Sequence, residues 1–200
     1  MRYDATHKAR VRNRVLEEAA QAIRCDGPHR VGVAGIMARA GLTHGGFYAH
    51  FPSKSALVAE AIETMFAQGR ERLLGVTADK PPRQALRDFL DLYISSEHRD
   101  SPECGCPLPA LSADLPRLDT AAHAAFAAGV GRFEQALARL LEAHGGAALA
   151  VQAGSLLAEI TGAVALARAL GTGEQSDALL AGCRQALHQR FHLDEDEARA

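Results

Sequence analysis

A short segment of the sequence combines hydrogen-bonding side chains with glycines at the spacing of one helix. Residues 43–54 read THGGFYAHFPSK and include a threonine, two histidines, a tyrosine and a lysine. Hydroxyl, imidazole and ammonium groups all bind phosphate oxygens, whereas Gly45 and Gly46 leave the backbone without a side chain. A helix with a bare ridge between such flanks suits the major groove of DNA, because its backbone can approach the base edges. The segment therefore predicts contact with nucleic acid.

The residues before this segment predict a helix followed by a tight turn. Val33, Ile36, Met37 and Ala40 stand at i, i+3, i+4 and i+7, which places them on one face of a helix. Gly41 then ends that helix, because glycine adopts the left-handed C′ conformation without strain. A helix, such a turn and a second short helix together form a helix-turn-helix.

The second helix is predicted over residues 44–51, and a third helix follows it. Phe47 and Phe51 are four residues apart and would face the core, with the two glycines on the opposite side. The proline after Phe51 stops this helix, because the residue before a proline is disfavoured in the α conformation. Ser53 is a good N-cap for the third helix, whose free backbone N–H groups and Lys54 would both face a phosphate.

The stretch AGLTHGGFYAHFPSKSAL, residues 40–57, resembles the DNA-binding signature of the TetR family of bacterial transcriptional regulators. The resemblance implies phosphate contacts by four side chains and a base-facing surface made by three residues. The phosphate contacts would be Thr43, Tyr48, His50 and Lys54, and the base-facing residues His44, Gly45 and Gly46. One departure is Gly32, which stands where the family usually has a Ser or Thr cap. Glycine at an N-cap costs only about a few tenths of a kcal/mol.

The charge distribution agrees with a single DNA-binding end. Residues 1–60 contain nine Lys or Arg and five Asp or Glu, a net charge of +4, and the rest of the chain is −6 with 13 basic and 19 acidic residues. A basic quarter on an acidic body is typical of a protein that offers one end to nucleic acid. Within it, Arg10 and Arg12 are predicted to lie along the phosphates or in the minor groove, or else to be merely solvated.

The whole chain is predicted to be all-α, with about nine helices. A helix-turn-helix domain would span residues 1–54 and a helical ligand-binding and dimerisation domain residues 55–200, joined by a connector helix over residues 53–74. The connector has a wide apolar arc and must therefore touch two neighbours. We also expect residues 1–9 to be frayed, a break over residues 75–82 and a polar segment after Tyr93.

The composition indicates where such a protein would be found. The chain has 200 residues, of which 48% are apolar, enough for one medium core or two small ones. It contains no run of 18 apolar residues, and its N-terminus lacks the apolar core of a signal peptide, so we expect a soluble, cytoplasmic protein. Four unevenly spaced cysteines fit reduced thiols better than a disulfide framework.

The resemblance also implies a small-molecule site beside the connector helix. Aromatic and aliphatic residues near that helix are its candidates, although ordinary core packing explains the same residue types. The candidates are Phe66, Phe89, Tyr93, Leu108, Leu111, Phe126 and Phe133. A ligand there would move the connector and change the spacing of the DNA-reading helices.

The last two predicted helices, over residues 148–170 and 174–191, are the most apolar and least charged of the chain. They carry too many apolar positions for one small body to cover, so a partner surface is implied. The resemblance implies a homodimer held by a four-helix bundle of these helices, and twofold symmetry then implies a palindromic operator. The predicted dimer residues are Leu156, Ile160, Val164, Leu180 and Leu187.

Cys106 gives an alternative mode of regulation. It precedes Pro107, a residue favoured at the first position of a helix, so its thiol would lie at a helix N-terminus, where the dipole favours the thiolate. The stretch GCPLPALSADL is also similar to the corresponding stretch of some electrophile-sensing TetR-family members. The alternatives are an inert buried cysteine or a metal site of Cys104, Cys106 and His98, which lacks a further ligand pair.

Taken together, the sequence predicts a ligand-responsive DNA-binding regulator, a repressor that binds a palindromic operator as a dimer and is released by a small molecule. The alternatives are a thiol-based redox or electrophile sensor acting through Cys106, and a helical interaction protein without DNA binding. No G-x-S-x-G, P-loop or H-E-x-x-H motif occurs, so we expect no enzymatic activity, no metal and no cofactor.

Overall fold

The computed structural model describes residues 2–194, with side chains from residue 6 onward, and this part of the chain is helical without strands. The α-helices are α1 (Arg2–Asp26), α2 (Val33–Arg39), α3 (Lys54–Thr77), α4 (Pro82–Tyr93), α5 (Ser96–Asp100), α6 (Pro107–Leu111), α7 (Thr120–Gly145), α8 (Ala147–Ala150), α9 (Ala153–Leu170) and α10 (Glu174–Arg190). Short 3₁₀ helices cover His44–Ala49, Pro102–Cys104 and Leu115–Arg117. The all-α prediction is confirmed.

Capping residues fix several helix ends, and the predicted ends at Ser53 and Gly41 are confirmed. Ser53 Oγ accepts a hydrogen bond from the backbone N–H of Ala56 at 3.0 Å and begins α3. Asp119 Oδ1 accepts one from Ala122 at 2.9 Å and begins α7. Gly41 has φ of +71°, the left-handed turn expected after α2. A local hydrogen bond or a required backbone conformation therefore fixed these boundaries.

Two boundary predictions were wrong, and one segment without a predicted structure is helical. The helix α1 begins at Arg2 rather than after a frayed segment of residues 1–9. The helix α3 continues through Gly75 to Thr77, because one glycine costs a helix only about 1 kcal/mol and Thr77 Oγ1 donates to Leu73 O at 2.8 Å. The polar segment after Tyr93 forms α5, because Ser95 Oγ accepts from His98 N at 3.0 Å as an N-cap.

The chain divides into two compact units whose boundaries differ from the predicted one after residue 54. The first unit comprises Met1–Gly69 and Pro102–Gly131, and the second comprises Arg70–Ser101 and Arg132–Ala200. The segment after residue 101 belongs to the first unit because it bonds to α1 and α3. Buried Arg24 donates to Glu103 O at 2.8 Å, and Ser55 Oγ donates to the Asp119 carboxylate.

The core of the second unit centres on α9. By length and composition α9 is also the one helix among the described residues apolar enough to cross a membrane. Its apolar side chains are divided between the interior and the surface: seven are buried in the unit, whereas Leu166 is 59% exposed. The five residues predicted to form the dimer surface, Leu156, Ile160, Val164, Leu180 and Leu187, are all buried within one chain. They hold α9 and α10 together and have no surface to offer a partner directly.

A buried arginine joins three helices of the second unit. Arg99 on α5 donates to Asp177 Oδ1 at 2.6 Å and to Ser176 Oγ at 2.8 Å, both on α10. Ser176 Oγ in turn donates to Ala167 O on α9 at 2.9 Å. Since a buried charge is costly without partners, this network fixes α5 against α9 and α10.

His98 lies beside this network in a setting that favours its neutral form. Its pKa is lowered from 6.5 to about 4, chiefly by burial and also by Arg168 and Arg72, while the hydrogen bond to the Tyr93 carbonyl at 2.7 Å opposes the shift. The imidazole also packs edge-on against the Tyr93 ring, with centroids 4.8 Å apart. His98 is therefore neutral in the folded protein at pH 7.

Gly129 marks a close contact between α7 and α3 in the first unit. A Cβ built at this position on α7 would lie 2.1 Å from Cδ2 of Phe66 on α3. The Phe66 ring is itself packed edge-on against Phe126, with centroids 5.5 Å apart, and it is buried. The absence of a side chain at residue 129 is therefore what lets α3 and α7 approach.

We predict that Gly129→Ala lowers the free energy of unfolding by about 1–3 kcal/mol, because the methyl group overpacks the site against a ring that has little room to move. Chemical denaturation measures the change. The matched control is Gly131→Ala, two residues along α7, where a Cβ meets nothing within 4 Å. That variant should be neutral or stabilised by up to about 1 kcal/mol, since alanine favours a helix over glycine. Equal effects of the two substitutions would contradict the packing argument.

We also predict that His98 makes stability decrease with acidity between pH 6.5 and about pH 4, the interval between its two pKa values. In that interval the unfolded chain binds a proton that the folded chain does not. Each unit of falling pH therefore lowers the free energy of unfolding by at most about 1.4 kcal/mol. Denaturation midpoints of the wild type and His98→Asn, measured across this range, isolate the contribution. The variant should show a shallower pH dependence, and identical slopes would contradict the burial of a neutral imidazole.

Candidate nucleic-acid interface

The segment predicted to contact DNA forms a short helix with a firmly anchored inner side. It is a 3₁₀ helix over His44–Ala49, and we call it the recognition helix; the predicted α-helix to residue 51 was wrong in type and length. The inner side is as predicted, because Phe47 and Phe51 are each 1% exposed and their rings stack 5.7 Å apart. These two rings fix the helix on the domain core.

The outer side of the recognition helix differs from the predicted bare ridge. Gly45 is exposed and a Cβ there would meet nothing within 4 Å, but a Cβ on Gly46 would contact Met37 Cε at 3.7 Å. Gly46 therefore faces α2 rather than the solvent. On a 3₁₀ helix residues three apart eclipse each other, so Gly45 shares its side with Tyr48, which is 71% exposed. The exposed surface is thus one glycine beside one tyrosine.

The remaining predicted contacts flank this surface at the two ends of the recognition helix. Thr43 and His44 are exposed at its N-terminal end, and Thr43 makes no capping hydrogen bond with its side chain. Lys54 is the first residue of α3, directly after the Ser53 cap, and is half-buried. The first backbone N–H groups of α3 have no partner within the helix. An ammonium group beside them suits a phosphate oxygen.

Arg12 has a structural role that the sequence did not indicate. Its guanidinium pairs with the Glu60 carboxylate on α3, donates to His50 O at 3.4 Å and lies 4.7 Å from the Phe51 ring centroid. These contacts direct Nε and one terminal nitrogen of Arg12 at the protein itself, and a DNA contact by this partly exposed side chain stays a prediction. The sequence pattern does not predict the pair with Glu60, because the two residues are 48 positions apart. Arg10 is exposed on α1, as a phosphate contact requires.

His50 offers DNA one nitrogen rather than two. Its Nδ1 is buried without a hydrogen-bond partner among the described residues, so that only Nε2 can reach outward. Burial lowers the pKa of His50, and the nearby Lys8 and Arg12 lower it further. The imidazole is therefore neutral at pH 7, and any phosphate contact it makes is a hydrogen bond without a full charge.

The residues predicted to bind a small molecule fall in both units. Phe66, Leu108, Leu111 and Phe126 lie in the first unit and Phe89, Tyr93 and Phe133 in the second. In the second unit the Phe89 ring lies 5.6 Å from that of Tyr93 and 6.3 Å from that of Phe133. All three rings are buried, so they pack against one another within that unit.

Cys106 occupies the predicted N-cap position of α6, but it is 4% exposed. The helix it precedes has only five residues, Pro107–Leu111, and Cys106 makes no side-chain cap. An electrophile in solution would reach this sulfur only after the surrounding segment moved. Cys104 is exposed, and the described residues contain no group of three or more His, Cys, Asp or Glu that could hold a metal ion.

Comparison with known proteins relates the segment around the recognition helix to a known family. The family model described as "Bacterial regulatory proteins, tetR family" matches residues 15–61, which contain α2, the recognition helix and the start of α3. No curated protein sequence matches the chain.

Solved structures agree over most of the chain. A TetR transcriptional regulator from Chloroflexus aurantiacus has 25% identity and a TM-score of 0.75, covering 94% of this chain and 96% of its own. A TetR-family regulator from Cytophaga hutchinsonii has 17% identity and a TM-score of 0.77, with 92% and 96% covered. The reduced form of NemR from E. coli has 22% identity and a TM-score of 0.74, with 88% and 95% covered.

The matched segment is the one that carries the anchored recognition helix, the Ser53 cap and Lys54, and the remaining helices follow the fold of the same group of proteins. Residues 15–61 thus form a DNA-binding domain of the TetR family, and the chain as a whole has the fold of TetR-family transcriptional regulators.

Proposed function

We propose that this regulator is a repressor that binds a palindromic operator as a homodimer and is released by a small molecule in the cytoplasm. The observation that carries the proposal is the recognition helix, which exposes Tyr48 and Gly45 between Thr43 and Lys54 while two buried rings hold its other side. Such a surface supplies phosphate contacts at both ends and close backbone approach in the middle. No catalytic activity is assigned to the chain.

Base recognition by this surface is expected to be sparse. His44 is the one exposed side chain at the predicted base-facing positions, since Gly45 has no side chain and Gly46 faces Met37. Phosphate contacts give affinity without reading the sequence, so discrimination should depend largely on the shape and deformability of the operator. Two recognition helices related by twofold symmetry would double the few contacts available and demand an inverted repeat.

A homodimer is supported by the exposed faces of the last two long helices. On α9 every exposed residue is uncharged, and so is every exposed residue of α10 from Ala178 to Gln189. Charged residues beside these faces have partners within the chain: Glu159 pairs with Arg190 at 2.7 Å and Arg184 donates to Ile94 O at 3.0 Å. An uncharged helical surface with small residues allows close packing against a second copy.

The exposed residues of α9 and α10 form two uncharged sets. On α9 they are Gly154, Ser155, Ala158, Leu166, Ala169 and Leu170, and on α10 Ala178, Ala181, Gly182, Gln185, Ala186 and Gln189. We assign the dimer interface to these residues in place of the five buried leucine, isoleucine and valine side chains, which support it from within.

Small-molecule release requires a change that reaches the recognition helix. The helix α3 provides a continuous element, because it carries Lys54 at its first residue and reaches Thr77 in the second unit. We propose that the ligand acts at the cluster of Phe89, Tyr93 and Phe133. Since these rings are in mutual contact, it must displace at least one of them. A coupling free energy of about 1–3 kcal/mol is enough to weaken operator binding 5- to 150-fold.

The thiol-sensor alternative is less well supported than ligand release, because the Cys106 sulfur is buried. A helical interaction protein without DNA binding would give no role to the exposed Tyr48 or to Lys54 at the capped start of α3. Gel-shift titration on the DNA upstream of the chain's own gene separates the two regulator proposals from an interaction protein. Ligand release and thiol sensing both require specific retardation of that duplex, whereas an interaction protein would give none.

We predict that Lys54→Gln weakens operator binding about three- to tenfold and reduces the slope of log K against log salt by about 1 per protomer, because one phosphate contact is lost. Fluorescence anisotropy on a labelled operator measures both quantities. The matched control is Arg72→Gln, which removes the same charge from an exposed position of the second unit and should leave both unchanged. Equal losses for the two variants would point to net charge rather than contact.

We further predict that Ala158→Glu shifts the monomer–dimer equilibrium toward monomer by at least about tenfold, since the dimer would bury an unpaired carboxylate at each copy of the site. Sedimentation equilibrium measures the shift. Ala124→Glu, at an exposed position of α7, is the matched control and should leave the equilibrium unaltered. A dimer equally stable in both variants would remove α9 from the interface.

A further inference from the structure

The second unit contains an open groove of about 540 Å³ between two long helices. One wall is the end of α3, where Arg70, Leu73, Leu74 and Thr77 stand at i, i+3, i+4 and i+7. The other wall is α7, and α4 contributes at one end. The remaining lining residues are Lys80, Pro82, Ala85, Arg132, Gln135, Ala136, Arg139, Leu140 and Ala143. None of the seven predicted ligand-binding residues lines this groove, so it is a separate site.

The floor of the groove is apolar and accessible. Leu74 is 52% exposed, whereas its neighbour Leu73 is 4% exposed and closes the floor from below. Leu140 and Ala136 continue the apolar surface on α7. Burying exposed apolar surface is worth about 25 cal/mol per Å², so an apolar body of suitable size gains free energy by covering Leu74. The volume lies within the range of about 300–1,000 Å³ typical of small-molecule sites.

The rim of the groove is positively charged and carries no acidic side chain. Four of the lining residues are Arg70, Lys80, Arg132 and Arg139, and none is Asp or Glu. Lys80 pairs with Asp88 at 2.6 Å. Within the described part of the chain, the three arginines have no ion pair or hydrogen bond. Acidic residues do occur on the same helices, at Glu71, Glu134 and Glu142, but they are outside the lining.

Unpaired guanidinium groups around an apolar floor define the kind of ligand that fits. A guanidinium group binds carboxylate, sulfonate and similar oxyanions through two parallel hydrogen bonds. Arg132 and Arg139 are seven residues apart, which corresponds to about 10.5 Å along α7, so either can hold an oxyanion while the apolar body lies between them. A neutral apolar molecule would leave these three charges without partners, and a small inorganic anion would leave Leu74 uncovered.

We propose that this groove binds a small organic anion that has one oxyanion head and an apolar body. Arg132 or Arg139 holds the head, with Arg70 on the facing wall, and Leu73, Leu74 and Leu140 hold the body. The proposal goes beyond the proposed function, since it concerns binding alone and is tested without DNA. A failure of the repressor proposal would therefore leave it intact, and its own failure would leave the repressor proposal intact.

The test uses the full-length protein and two dyes that differ in charge. The dye 8-anilinonaphthalene-1-sulfonate has an aromatic body and a sulfonate head, and N-phenyl-1-naphthylamine has the same body without the sulfonate. Both become fluorescent when their rings leave water, so titration gives an affinity for each. The variant Arg132→Gln/Arg139→Gln removes two of the proposed partners from exposed positions, and circular dichroism confirms that it folds.

We expect saturable binding of the sulfonate dye with one site per chain, and an affinity at least about tenfold lower in the double variant because charge-assisted hydrogen bonds are lost. The neutral dye should bind the wild type and the double variant equally. The matched control is Arg30→Gln/Arg117→Gln, which removes the same charge from exposed positions of the first unit and should bind both dyes as the wild type does.

A second variant, Leu74→Ser, tests the floor and should weaken both dyes. The inference is overturned if the arginine variant binds the sulfonate dye as tightly as the control variant does, or if Leu74→Ser leaves both affinities unchanged. It is equally overturned if the wild type binds neither dye. If one double variant fails to fold, Leu74→Ser still decides whether the groove is the site.

Discussion

The Arg12 guanidinium makes the contact on which the DNA-binding surface depends. A helix of six residues cannot maintain itself in water, because the free energy of forming its first turn is not recovered over so short a length. Arg12 compensates by joining α1 to the backbone of His50, the face of Phe51 and the carboxylate of Glu60. The end of the recognition helix is thereby held by two long helices. Its outer side can then expose Gly45 and Tyr48.

Two other arginines, both buried, also join elements that are distant in sequence. Arg24 ties α1 to the backbone of Glu103 and to Gln68 of α3, and Arg99 ties α5 to α10. In each case one guanidinium satisfies groups on elements distant in sequence. The segment after residue 101 thus belongs to the same unit as the recognition helix. That unit therefore consists of two stretches that are separated in the sequence.

Two exposed surfaces of the second unit differ in their chemistry. The faces of α9 and α10 are uncharged and populated by Ala, Gly and Gln, which suits flat packing of helix on helix. The groove between α3 and α7 is concave and combines Leu74 with unpaired arginines, which suits a small charged ligand. Charged residues beside the α9 and α10 faces have partners within the chain, whereas the three arginines of the groove have none among the described residues. The two surfaces are therefore suited to different partners.

The sequence by itself determined the helix content, the helix-turn-helix and the capped start of α3, because these depend on local hydrogen bonds and on spacing within about ten residues. Phe47, Phe51, Gly41, Ser53 and Asp119 all lie where local rules require. The tertiary structure decided what depends on residues far apart in the chain. It turned Gly46 against Met37, engaged Arg12 with Glu60 and buried the leucines expected at a dimer surface. Helical periodicity shows that a face is apolar, but whether its own chain or a partner covers that face is decided only when the helices pack.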